Sequence, residues 1–418
     1  MIDLSKFDRI KTFGKSMFPF LQHGDVVYYK PIQYKDITIN DVIVVKSKYT
    51  YFTHRVIFKN NDYVITKGDN NFFPDEPAKQ EQIIGKAYKV KRKGKIIRLA
   101  YLYLMQSILY NKEIRLINSN LRKNIVRFLF LKGLPLHLYY EKHHPKRIYA
   151  DCDIMINKND KDRVESIFHA LGYAKANEEL INGYAIKESN TEINYFKAVQ
   201  DVRIVFDVHF EPAFMMTKLN INHRFYEPEL LQALTRHFLG RKREIRIDQN
   251  KFYILQPVEL VAYLALHFFH HNYRGIYRLE LIKEIIMKEF SNTNWHQLSK
   301  LITKYKLQNF VFPVFILLKD YYKVRISSSF LATIRPKGFL NAILLRRVKN
   351  SIFISQTRFQ AGIERFFLLF LFSPEPLYKR LKVFIDMGLI RTVFKLIRQI
   401  LMKNLNPINF IKFINKLD

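Results

Sequence analysis

Asp151 and Asp153 stand two residues apart in the run Arg147-Ile-Tyr-Ala-Asp151-Cys-Asp153-Ile-Met-Ile. In an extended strand alternate side chains leave on opposite faces, so the two carboxylates share one face while Cys152, Ile154 and Ile156 turn to the core. Carboxylates held this close repel each other unless a cation sits between them, and a divalent metal is the natural one. A second run repeats the pattern: in Arg203-Ile-Val-Phe-Asp207-Val-His209-Phe, Ile204, Phe206, Val208 and Phe210 form one face and Asp207 and His209 the other. Three carboxylates on neighbouring strands can hold two Mg²⁺ ions, or Mn²⁺, against a triphosphate. His209 beside Asp207 is then either a proton acceptor or a group that orients a metal ligand from behind. Taken alone, an Asp-x-Asp pair serves equally well as a solvated strand edge or as a cap for a following helix.

The flanking residues narrow the choice. Phe130-Leu131-Lys132-Gly133-Leu134 lies upstream, Arg147 stands just before the acidic strand, and Leu171-Gly172-Tyr173, Asp207-Val-His209, Leu264-Ala-Leu-His267 and Arg278-Leu-Glu-Leu follow. In this order and spacing, roughly residues 125 to 380 resemble the minimal nucleotidyltransferase family with Leu-Lys-Gly and Arg-x-x-x-Asp-x-Asp signatures. The resemblance implies a polymerase-β-like fold, with Asp151 and Asp153 as the metal pair, Asp207 as the third carboxylate and Lys132-Gly133 in the nucleotide-facing loop. It also implies a nucleoside triphosphate co-substrate, ATP first among them. Where the wider superfamily carries Gly-Ser, this chain has Lys132-Gly133. Arg147 either grips a phosphate through its planar fork or pairs with Asp151 or Asp153. His267 and His271 share a helix face and could hold metal. By the resemblance this region is a helical subdomain over the cleft, in which His267, Arg274 and Arg278 contact acceptor or phosphate.

The first hundred residues differ. Gly14-Lys15-Ser16-Met17-Phe18-Pro19, Gly24-Asp25, Asp41-Val-Ile-Val-Val, Thr53-His54-Arg55-Val56 and Thr66-Lys67-Gly68-Asp69-Asn70-Asn71 with Pro74-Asp75 punctuate short β-branched and aromatic runs. These read as a small, mostly antiparallel β domain. The ordered motifs over about residues 8 to 90 resemble the signal peptidase I-like serine peptidases of the type that carries His where the bacterial type carries Lys. By that resemblance Ser16 is the nucleophile and His54 its base, with Asp75 or Asp69 orienting the imidazole. Each of these parts meets a chemical need, because a serine hydroxyl is a weak nucleophile without a base in reach and a third group fixing the tautomer. Phe20 replaces the small hydroxyl residue usual in the family, which is expected to narrow the substrate groove.

The chemistry must be carried on a frame that composition makes plausible. The 418 residues allow two or three domains. Cys152 is the only cysteine, so no internal disulfide forms, and its side chain is expected in the core. No Cys/His cluster has zinc spacing. The net charge of +32, from 69 Lys and Arg against 37 Asp and Glu, calls for nucleic acid, a membrane surface, or basic helices that simply pack on the core. The tail from Leu377, with Lys379, Arg380, Lys382, Arg391, Lys395 and Arg398 among apolar residues, reads as basic amphipathic helices. Met1 lies too close to Ser16 for a preceding span, and runs such as Phe366–Phe372 fall well short of the roughly 18 apolar residues a membrane helix needs. A cytoplasmic protein, peripheral to the membrane at most, is expected.

The expected fold class is α+β. A peptidase-like β domain spans residues 1–95, a helical connector 96–124, an α/β nucleotidyltransferase core 125–250 and a helical C-terminal region 251–418. The expected function is two-headed: metal-dependent transfer of a nucleoside monophosphate to an unidentified acceptor, and Ser/His cleavage of a peptide or protein, with one peptide as a common substrate. Two other classes stay open: a toxin or defence transferase acting on RNA or protein, and a basic scaffold with inactive heads.

Overall fold

The computed structural model describes residues 8–18, 20–47, 50–141, 151–175, 191–199, 202–212, 214, 224–336 and 340–385. The β-branched and aromatic runs near the N-terminus form β1 (Asp8–Lys11), β2 (Val26–Lys30), β3 (Val42–Lys46), β4 (Tyr51–Lys59), β5 (Val64–Lys67), β6 (Ile83–Arg92) and β7 (Lys95–Arg98). They pair in the order β1-β2-β6-β3-β4-β5, with β7 on β6, and every ladder is antiparallel. Alternation along β3 sends Val42 into one small core with Val27 and Val90, and Ile43 and Val45 into a second with Val56 and Val64. Asp25 and Asp41 brace this frame, paired with Arg92 at 2.7 Å and Lys86 at 2.9 Å.

Residues 96–98 belong to β7, so the helix expected from Ile96 begins at Leu99 as α1 (Leu99–Lys123). It is more than a connector. Tyr110, Ile114, Ile117 and Leu121 are fully buried in the large core, and the Tyr110 hydroxyl accepts the Val205 N–H at 3.2 Å.

The second sheet comprises β8 (Phe128–Phe130), β9 (Cys152–Ile156), β10 (Ala174–Lys175), β11 (Glu192–Val199), β12 (Val202–His209), β13 (Lys242–Ile247) and β14 (Asn250–Leu255), ordered β10-β11-β12-β9-β8-β14-β13. Two of its ladders, β12 with β9 and β14 with β8, are parallel. β9 is buried along its whole length, as an interior strand covered on both faces should be. Cys152 lies in that core, as its alternation requires. Helices α2 (Leu134–Glu141), α3 (Lys161–Ala170) and α4 (Pro228–Gly240) accompany the sheet.

The helical region is organised around α5 (Pro257–His270), in which every residue from Val258 to Phe269 is buried, the signature of a helix packed on all sides. It packs with α6 (Arg278–Glu289), α7 (Asn292–Lys304) and α8 (Gln308–Tyr322); α9 (Ser328–Ile334), α10 (Leu340–Ser351), α11 (Arg358–Phe372) and α12 (Leu377–Leu381) follow. The two units share a core: Phe58 of β4 meets Tyr321 and Tyr322 at 5.8 Å and Phe353 at 5.7 Å between ring centroids. No described helix is long and apolar enough to cross a membrane. Arg391, Lys395 and Arg398 of the basic tail lie outside the described residues.

Candidate active sites

The β9/β12 ladder sets Asp153 directly opposite Asp207, and Met155 opposite His209. The antiparallel β11 then brings Asn194 opposite Asp207 and Glu192 opposite His209. Asn194 donates a short hydrogen bond to Asp207. Asp153, only 3 % exposed, accepts from His209 Nε2 at 2.9 Å and pairs with Lys132 Nζ at 2.8 Å. The same ammonium reaches both oxygens of Asp151 at 3.4 Å. Lys132, expected to face a nucleotide, thus sits between the two carboxylates of the Asp-x-Asp pair. Gly133 follows it at φ +103°, a conformation that glycine adopts without strain. Arg147 lies outside the described residues.

Four acidic groups here face the charge of Lys132 and of His209. Burial, and then Asp153 and Asp151, push the Asp207 carboxyl up to about 7, and burial with the Asp153 charge raises Asp151. Asp153 goes the other way: burial raises it, but Lys132 and His209 together outweigh that and hold it down. Burial lowers His209, yet its bond to Asp153 and the charge of Glu192 leave it raised.

The donors fit a divalent cation. One carboxylate oxygen each from Asp153 and Asp207 and a ring nitrogen of His209 lie within 4.8 Å of one another. The buried Tyr263 hydroxyl, near enough for the acidic cluster to raise its pKa, has no hydrogen-bond partner among the described residues. The imidazole makes Mn²⁺ as suitable as Mg²⁺.

A pH test follows. The raised Asp207 carboxyl favours the folded chain fully below the ordinary carboxylate range, and that contribution is lost as pH climbs through about 7. Mg²⁺ is therefore expected to raise Tm more at about pH 8 than at about pH 6, and the Asp207→Asn protein should show a smaller difference, set by His209 alone. Equal shifts at both pH values, read by differential scanning calorimetry, would remove Asp207 from the metal site.

In the β domain Ser16, His54 and Asp75 come together. His54 Nε2 is 2.9 Å from Ser16 Oγ, and His54 Nδ1 is 2.7 Å from Asp75 Oδ2. The Thr66 hydroxyl donates to the same Asp75 oxygen at 2.6 Å. With the proton on Nδ1, Nε2 is left to accept the serine proton. Asp69, the other candidate to orient the imidazole, is held instead by Arg55 through bonds of 2.7 and 2.6 Å. Phe20 is buried in the small core with Met17 and Leu21, under the Arg55 guanidinium, rather than lining a groove.

The Ser16 turn is pinned from behind: its carbonyl accepts the Asn70 N–H at 2.7 Å, and a Cβ on Gly68 would stand 2.6 Å from that carbonyl oxygen. Gly68→Ala must therefore move the serine. We expect about 100-fold slower labelling of Ser16 by an alkyl fluorophosphonate, the scale of loss from a misplaced reacting atom. Unchanged labelling would show that the turn tolerates displacement.

Other expected residues are committed elsewhere. Arg274 pairs with Glu364 at 2.9 Å, and His267 Nε2 lies 3.2 Å from His271 Nε2, with burial holding both imidazoles well below their usual pKa. Glu192, Asn194 and Tyr263 were not anticipated. A signal existed for the first two, since Ile193 and Tyr195 alternate with them as buried residues.

A family model described as "Uncharacterised nucleotidyltransferase" matches residues 99–323, from the first residue of α1 to just past α8. It takes in the helix set down as a connector and leaves the β domain outside. No curated protein matches the chain.

Proposed function

The chain belongs to this nucleotidyltransferase family, and we propose that its larger unit transfers a nucleoside monophosphate from a nucleoside triphosphate, ATP first, to an acceptor hydroxyl or carboxylate. The observation that carries this reading is the in-register pairing of Asp153 with Asp207 on parallel strands, with Asp151 linked to Asp153 through Lys132. Asp153 and Asp207, with Asp151 and His209, would hold Mg²⁺ or Mn²⁺, which supplies charge neutralisation for the triphosphate and leaving group.

The acceptor oxygen attacks the α-phosphorus, the bond from that phosphorus to the oxygen of the β-phosphate breaks, and pyrophosphate leaves. Asp207, on the acidic face it shares with Asp153, takes the proton of a hydroxyl acceptor; a carboxylate acceptor brings none. Without metal, His209 bonds one oxygen of Asp153 and Lys132 pairs with the other, so both hold the carboxylate in place for an ion. Incubation of the protein with cell extract and ATP labelled at the α or the γ phosphate tests the reaction. α-Label on an acceptor supports nucleotidyl transfer. γ-Label alone means phosphoryl transfer and overturns the mechanism.

The smaller unit is proposed to be a serine hydrolase acting on a peptide or protein, a reading supported by the Ser16–His54–Asp75 geometry. Fusion of the two heads in one chain suggests a common peptide substrate, cleaved by one and nucleotidylated by the other. Mass spectrometry of candidate peptides that shows neither change would count against it.

A further inference from the structure

A cavity of about 270 Å³ lies where the end of β5 meets the helical region, walled by Lys67, His271, Arg274, Arg278, Ser355 and Arg365 among others. Arg274 is neutralised by Glu364. Lys67, Arg278 and Arg365 form no ion pair among the described residues: Lys67 donates to the Ser355 hydroxyl, and Arg365 bonds only the His270 ring at 3.3 Å. The Nε atoms of Arg278 and Arg365 are buried without a hydrogen-bond partner. All three side chains are half-buried, and partial desolvation of cations that no carboxylate among the described residues pairs with is costly, so three around one cavity mark a place for an anion.

Arg278 and His271 of the cavity wall lie within electrostatic reach of the carboxylate cluster and its lysine. Arg278 is close enough for its charge to act on both Asp151 and Lys132, and His271 senses Lys132 and Arg278. Guanidinium groups with an ammonium are the donors that phosphate oxygens prefer.

We propose that this cavity is a phosphate-binding site built jointly by the two units, with Lys67 of the β domain a direct ligand to the phosphates of the transferase substrate. The ownership of those phosphates rests on the nucleotidyl-transfer reading; the cavity's affinity for phosphate does not. Lys67 also lies between Thr66, which braces Asp75, and Gly68, which backs the Ser16 turn. One short segment thereby serves both heads.

The test is isothermal titration of the full chain with inorganic pyrophosphate, in EDTA and in the Asp207→Asn background, so that it reads the pocket apart from metal and transfer. Wild type is expected to bind, Lys67→Gln to bind about tenfold or more weakly, and Lys67→Arg to retain most of the affinity. Circular dichroism confirms that each variant is folded. Displacement by ATP assigns the phosphates to the nucleotide, and displacement by a sugar phosphate but not by ATP assigns them to a phosphorylated acceptor. Absent binding by wild type, or unchanged affinity in folded Lys67→Gln, overturns the site even if α-label transfer is observed.

Discussion

Asp207→Asn is expected to lower transfer of α-label by about 10³-fold while the protein stays folded and Ser16 stays reactive. The substitution keeps the shape and removes the charge. Asn194 can still donate to the oxygen at residue 207, so the β11/β12 face need not rearrange. What goes is the anion that would hold metal and accept a proton. Asp153→Asn should be at least as damaging to transfer, but it is a less clean experiment. Its carboxylate serves Lys132 at 2.8 Å and His209 at 2.9 Å, and removing one partner of a buried ion pair destabilises by about 3–5 kcal/mol. Reading Tm beside the transfer rate separates the two effects. Near-wild-type transfer by Asp207→Asn would take Asp207 out of the proposed chemistry and leave its pairing with Asp153 a structural one.

Much of that site was legible because strand periodicity is a local property. Alternation in Cys152–Ile156 and Val202–His209 put the acids on one face, and the ladder then aligned Asp153 with Asp207. The same reasoning decides between Asp75 and Asp69 once β4 is in place. His54 and Arg55 are neighbours on one strand and point to opposite faces, so each takes a different aspartate. Sequence order alone could not choose, since both aspartates lie in the loop beyond β5. The start of α1 was misjudged for a related reason: Lys95–Arg98 is short, and only its pairing with β6 makes it a strand.

The anion cavity was legible only in part: the resemblance marked Arg274 and Arg278 of its wall as contacts to acceptor or phosphate, but nothing pointed to Lys67 or Arg365. Lys67, Arg278 and Arg365 come from distant parts of the chain, and no periodicity connects them. Only the docking of Phe58 and Ile65 into the large core, with the Ser355 N–H donating to the Phe72 carbonyl at 2.7 Å, places them around one space. The +32 charge hinted at an anionic partner but gave no location. Half-buried cations that no described carboxylate pairs, set in a shared wall, are a more specific statement than net charge, because fully exposed lysines and arginines are solvated at less cost.

Asp75→Asn is expected to slow fluorophosphonate labelling of Ser16 by about 10⁴-fold, with nucleotidyl transfer unaffected. The loss would come from the tautomer rather than from position. Asp75 Oδ2 now accepts from both His54 Nδ1 and the Thr66 hydroxyl, which fixes the imidazole proton on Nδ1 and leaves Nε2 facing Ser16 Oγ as an acceptor. An amide that turns its nitrogen toward His54 reverses this, putting the proton on Nε2, where it donates to the serine it should deprotonate. Thr66→Val, which removes one of the two donors that orient the carboxylate, should fall between wild type and Asp75→Asn. Asp69→Asn, which breaks only the pair with Arg55, should label close to wild type. If Asp69→Asn and Asp75→Asn slow labelling equally, His54 is not oriented as the geometry indicates. If wild type itself does not label, the Ser16–His54–Asp75 array is a structural hydrogen-bond network, and the β domain contributes to this chain through the Lys67 wall alone.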